Sequence, residues 1–187
     1  MALAALMTPA SAALLVYDFN ADANGNVSGA PAGSTASAFA GGGSLVPGSW
    51  NTGAITAPVV NTFTFTAAAP GVSLDTLVIV AKKGVNQSLI IPQFAVTYKI
   101  DGGSSVILFD NGPSSTFNPA TSPSIGAFLG AGSSIEFTVT STMALGAATF
   151  MEFDSITLNG AAVPEPASLA IFGSLGAFGL VRRLRRK

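Results

Sequence analysis

Apolar residues in this chain recur at every second position, and that period decides what the chain can fold into. Phe94, Val96, Tyr98 and Ile100 alternate with Ala95, Thr97 and Lys99, and Ile135, Phe137 and Val139 alternate with Glu136, Thr138 and Thr140. Phe63 and Phe65 are likewise spaced by threonines. Successive side chains of a strand point to opposite faces, so each segment presents one apolar and one polar face and predicts a half-buried strand. The continuously apolar TLVIVA at 76–81 predicts a central strand, while ALLVYDF near residue 13 and FDSITLNG ending at Gly160 predict the first and last. Asp101-Gly102-Gly103, between Ile100 and Val106, has the composition of a tight hairpin turn. Asn111-Gly112-Pro113 and the Ser/Pro-rich run to Ser124 predict a longer loop, and the Gly/Ala/Ser-rich stretch 21–51 predicts mostly loop. About eight to ten short strands separated by Gly, Pro and Asn turns, without an amphipathic helix, predict an all-β fold: a β-sandwich or jelly roll over residues 13–160. A body of that length buries one core without disulfides.

The parity of the last strand carries an internal conflict. Asp154 shares parity with Ile156 and Leu158, whereas Met151 and Phe153 have the opposite parity, and both sets cannot face the core of a regular strand. Either a bulge lies near Asp154, or its carboxylate points inward and needs a partner.

The residue types present exclude whole reaction classes. With no cysteine and no histidine, the chain has neither a Ser-His-Asp nor a Cys-His nucleophile pair, and no thiolate or imidazole zinc site. Charged residues make up 9% of the chain, against ~25% in an average soluble protein. Between Ala13 and Gly160 only Lys82, Lys83 and Lys99 stand against eight carboxylates. A basic patch on the body is therefore absent, and no nucleic-acid partner is expected.

The positive charge lies beyond the body. Val163-Pro164-Glu165-Pro166 leads into an apolar run of 15 residues, Ala167 to Val181, closed by Arg182, Arg183, Leu184, Arg185, Arg186 and Lys187. As a helix this run is a short transmembrane span, since a bilayer core of ~30 Å takes about 20 residues. The arginine stems extend it, with the basic block on the cytoplasmic side and the body outside. Two prolines hold the segment before it extended and exposed to a protease. These three parts, in this order and spacing, resemble the PEP-CTERM protein-sorting signal of Gram-negative bacteria. The resemblance covers about 25 residues. It implies recognition of Val163, Pro164, Glu165 and Pro166 by an exosortase, an integral membrane transpeptidase. It further implies removal of the tail and delivery of the body to the cell surface or the extracellular matrix.

At the other end, Ala10-Ser11-Ala12 has the small residues that a signal peptidase accepts, and cutting after Ala12 leaves Ala13 as the mature start. The apolar run before it, Ala2 to Met7, is shorter than the ~7 to 15 residues of an export signal. Residues 1–12 are thus expected to be the remnant of a truncated signal peptide, which an in-frame basic and apolar extension upstream in the gene would complete.

Several candidate sites lie in the body. Asn20, Asp22 and Asn24 alternate before Gly25, like the first half of a calcium-binding loop, but the bidentate acid falls at Pro31, which excludes an EF-hand; a run of Asx turns explains the same residues. The strand pattern loosely resembles jelly-roll carbohydrate-binding modules, which implies a structural calcium between first and last strands, held by Asp18, Glu152 and Asp154. Otherwise no cofactor is expected. Trp50, the sole tryptophan, is either a platform for a sugar ring or a plug beneath a loop. Glycoside hydrolysis needs two carboxylates across a cleft, and none of Asp101, Asp110 or Glu136 declares itself. The resulting expectation is an exported, non-enzymatic surface or matrix protein with a structural or exopolysaccharide- and biofilm-associated role. The alternatives are a permanently membrane-anchored glycan-binding protein and a carboxylate-dependent glycan hydrolase.

Overall fold

In the computed structural model, residues 11–84, 92–112, 116–143 and 150–163 are described, and among them every regular element is a strand. The strands are β1 (Ala12–Asp18), β2 (Gly25–Val27), β3 (Thr35–Ala36), β4 (Ala40–Gly41), β5 (Ser44–Val46), β6 (Ser49–Asn51) and β7 (Val59–Thr66). There follow β8 (Val72–Lys83), β9 (Pro92–Ile100), β10 (Val106–Asn111), β11 (Asn118–Thr121), β12 (Phe128–Leu129), β13 (Ser134–Met143) and β14 (Met151–Ala162). Eight of these have four or more residues, so the expected all-β sandwich is what the chain forms. The stretch 21–51 is mostly loop, as expected, but it also contributes the five short strands β2 to β6. Strands of two or three residues are too short to show a period.

Two antiparallel sheets face each other. One runs β11-β8-β14-β1-β2, with β12 also on β8 and β6 on β14; the other runs β10-β9-β13-β7-β3, with β4 on β7. TLVIVA lies inside β8, between β11 and β14, as its apolar run requires; Leu77, Ile79 and Ala81 are buried and the alternate residues half-buried. The turn after β9 has Asp101 at φ 48° and Gly102 at φ 71°, and Gly103 N–H donates to the Ile100 carbonyl at 2.8 Å. Two successive positive φ values fit the twist of a tight hairpin, which is why Asp-Gly stands there.

The core is aromatic. Phe63 stacks on Phe137 at 4.9 Å and meets Tyr17 edge-on at 5.0 Å, joining the two sheets. Phe39, from the Gly/Ala-rich stretch, is buried and packs on Trp50 at 5.2 Å and Phe153 at 6.2 Å. Burying one such ring contributes roughly 1.5–3 kcal/mol, so Phe39 fixes a segment with few other anchors.

The parity conflict in β14 is resolved by a bulge. Its pairing with β8 shifts between Phe153 and Ser155, so Asp154 is the extra residue, while Met151, Phe153, Ile156 and Leu158 are all buried. A second irregularity between Ala13 and Leu15 in the β1 ladder likewise lets the adjacent Leu14 and Leu15 both bury.

One end of the sandwich gathers the starts of β1, β8, β10 and β13 and the finishes of β7, β9 and β14. Ala67 N–H bonds to the Ser133 carbonyl, Asp101 N–H to Ser134, and Leu74 N–H to Ala127 there. The chain leaves toward its basic tail from this end, called below the tail end. Among the described residues no helix is long and apolar enough to cross a membrane. The run 167–181 lies outside them.

Candidate functional site

The point where the tail leaves the body is set by the last three pairings of β14. Gly160 is opposite Leu74, Ala161 opposite Ser73 and Ala162 opposite Val72, after which Val163 N–H donates to the Gly71 carbonyl at 3.1 Å. Val163 is half-buried and is the last described residue. The next residue in the sequence is a proline, which has no backbone N–H to donate. Pro164, Glu165, Pro166, the apolar run and the basic residues Arg182, Arg183, Arg185, Arg186 and Lys187 lie outside the described residues.

Gly160 is what allows the neighbouring strands to close at this exit. A side chain there would collide with the Ser73 carbonyl and with Leu14, whose Cδ1 would lie 2.6 Å from the added carbon. On the other side of β14, Ala12 is opposite Gly160. The expected signal-cleavage residue Ala12 therefore opens β1 as the immediate neighbour of the tail's exit, while Ala10 lies outside the described residues.

Phe128 sits at the same exit. It pairs with Ser73, and its Cζ lies 3.0 Å from where a side-chain carbon on Gly71 would be, so the ring rests on the glycine that holds Val163. It is 58% exposed, unlike the other large residues that pair with β8. Sequence reading missed it, because a strand of two residues has no period and exposure depends on sheet neighbours.

Asp18, Glu152 and Asp154 are not brought together as a calcium site. Asp154, on the bulge, accepts from Asn20 Nδ2 at 3.3 Å and from Ser155 Oγ at 3.4 Å. Asp18 accepts from the Asn20 backbone N–H at 3.0 Å, an Asx turn. Glu152 is diverted: its Oε2 lies 2.8 Å from Lys82 Nζ and accepts from Ser49 Oγ at 3.3 Å. The same ammonium sits 4.3 Å over the Phe117 ring. A carboxylate neutralised by lysine is a poor cation ligand, and among the described residues no group of three acidic side chains is placed to hold a metal. In the loop before Gly25, Asp22 accepts from Asn24 N–H at 2.7 Å, so there too an Asx turn uses the oxygen.

Trp50 is not a sugar platform. It is 8% exposed, its ring packs on Phe39 and Phe19, and Nε1 reaches the Gly42 carbonyl at 3.4 Å. It plugs the core under the β4–β5 crossing. Two of the carboxylates weighed for hydrolysis are engaged: Glu136 pairs with Lys99 at 2.9 Å, and Asp101 accepts from Ser134 N–H at 2.7 Å, while Asp110 is exposed on β10.

Residues 162–187 match the family model of the PEP-CTERM protein-sorting motif. No curated protein matches the chain in sequence. Among solved structures, TmCBM61 in complex with β-1,4-galactotriose is similar at 11% identity and a TM-score of 0.41, over 70% of this chain and 84% of that one. A family 29 carbohydrate binding module from Piromyces equi is similar at 10% identity and a TM-score of 0.38, over 70% and 93%. The enzymatically active domain of bacteriophage CBA120 tailspike protein 4 follows at 14% and 0.37, over 67% and 17%. Likeness at these scores says nothing about a ligand. The motif match begins at the residue that ends β14, so a β-sandwich passes directly into a PEP-CTERM protein-sorting signal, the mark of an exported protein processed by an exosortase.

Proposed function

We propose that this protein is delivered by exosortase to the cell surface or extracellular matrix, where its sandwich has a structural, exopolysaccharide-associated role without catalysis. The observation that carries the reading is the junction at Val163. The sorting motif begins where the last strand finishes, so a cut at or beyond Pro164 leaves every described strand whole. The expected signal cut after Ala12 would take the first residue of β1, the one opposite Gly160, and leave the rest of the strand in place. A structural role is supported by the use made of the carboxylates: Glu136 and Glu152 are ion-paired, and Asp101 and Asp154 hold backbone and side-chain donors.

Intact mass of the protein recovered from cells tests the sorting reading. Loss of the residues beyond the Pro-Glu-Pro region is expected; a full-length tail on all surface protein would instead mean a permanent anchor. A panel of polysaccharides assayed for both retention and turnover tests the role of the body. Binding without product is expected, and product released by the purified protein would make it a hydrolase.

A further inference from the structure

The tail end of the sandwich carries an apolar rim that the sorting signal alone does not explain. Phe128, 58% exposed, lies against Gly71 beside Val163. On the facing sheet, Val106 and Ile107 open β10 just after the 101–105 turn, and they are 46% and 79% exposed. β2 packs on β3 along one flank of the sandwich, which leaves β10 and β12 together on the other. Half of the exposed large apolar residues described are therefore at one corner, next to the exit of the tail.

The chain beyond Val163 fixes what lies opposite that corner. Only Pro164, Glu165 and Pro166 separate Val163 from the apolar run that starts at Ala167, and at ~3.3–3.6 Å per residue the stretch to Ala167 spans at most about 14 Å. While the run is in a bilayer, the tail end is held within the depth of the headgroups. Aromatic and aliphatic side chains at that level gain by partial burial at the acyl boundary. Charge does not supply the contact: Lys82 and Lys83 finish β8 at the far end and Lys99 is paired with Glu136, leaving no unpaired described cation at the tail end.

We propose that the corner formed by Phe128, Val106 and Ile107 is a lipid-contact surface. It seats the folded body on the bilayer and fixes how the Pro-Glu-Pro segment is presented until the tail is cut. This rests on the sorting reading above. The contact is apolar, so it depends little on anionic lipid or on salt.

The absence of cysteine makes a single introduced one a unique label site. The full chain, as Phe128→Cys, Ile107→Cys or the far-end control Leu45→Cys, is labelled with a small fluorophore and reconstituted in phosphatidylcholine vesicles containing a quencher on the acyl chain. Leu45 suits the control because it is 40% exposed and its hairpin pairs with the start of β14. Quenching at 128 and 107 about threefold or more above that at 45, and unchanged in high salt, is expected for an interfacial apolar contact. Equal quenching at all three sites, in vesicles from which alkaline carbonate does not extract the chain, overturns the lipid contact and leaves the sorting reading standing. Extraction of the chain by carbonate overturns both. Should Phe128→Cys fail to fold, the comparison of 107 with 45 decides alone.

Discussion

The Tyr17 hydroxyl donates to the Ser37 carbonyl at 2.6 Å, tying the first strand of the core to the Gly/Ala/Ser-rich crossing that covers it. Desolvation by burial pushes the phenol above its ordinary value. An unfolded tyrosine ionises near 10.0. Above that pH the unfolded chain releases a proton that the folded chain keeps, so this stability is whole below pH 10 and falls as pH rises. Unfolding free energy from denaturant titrations at pH 8 upward should fall beyond that point, by up to about 1.4 kcal/mol per pH unit for this group. Tyr17→Phe should flatten the fall while costing about 1 kcal/mol at neutral pH from the lost hydrogen bond.

Gly160 has the Ser73 carbonyl on one side and Leu14 on the other. Gly160→Val is expected to force β14 from its neighbours and to cost about 2 kcal/mol or more, measured by denaturant unfolding. Ala161→Val is the comparison, since Ala161 is only half-buried, and should change the midpoint little.

Asn61 lies on the inward face of β7, fully buried, and neither side-chain polar atom has a hydrogen-bond partner among the described residues. An unpaired buried amide costs about 1–3 kcal/mol. Asn61→Leu, of similar volume, should raise stability by about 1 kcal/mol, whereas Asn61→Ala trades the amide for a cavity and gains less. A lower melting temperature for the leucine variant would show that the amide is satisfied in solution.

Lys82 and Glu152 are cross-strand partners with side chains 23% and 15% exposed. A double-mutant cycle with Lys82→Met and Glu152→Gln should give a coupling near 1 kcal/mol, smaller in high salt. Lys82→Met alone should cost more than the pair of changes together, because it leaves Glu152 with Ser49 as its remaining described partner.

The long strands were legible because alternation is local: β7, β9 and β13 appear where Phe63, Phe94 and Phe137 set the period. The bulge at Asp154 was legible as a parity conflict for the same reason. What could not be read depends on pairing across the sequence. Glu152 looked available for a cation because nothing near it names Lys82, which is 70 residues away in the chain. Trp50 stood open between platform and plug because its burial depends on Phe39, held in a stretch with no period of its own. Of the site, the sorting motif is written in consecutive residues and was plain, whereas the Phe128 corner exists only once β12 is laid on β8 and β10 on β9.

The adjacency of Ala12 and Gly160 makes the sandwich a ring with its clasp at one point. A chain closed in this way can be joined across the clasp and reopened elsewhere with its sheets unchanged, and the Gly102–Gly103 turn is the natural place to reopen it. For a body that travels with a removable address at its end, such permutability means that delivery and architecture are separable. The same sheets can be entered and left at other points of the chain than the ones it now uses.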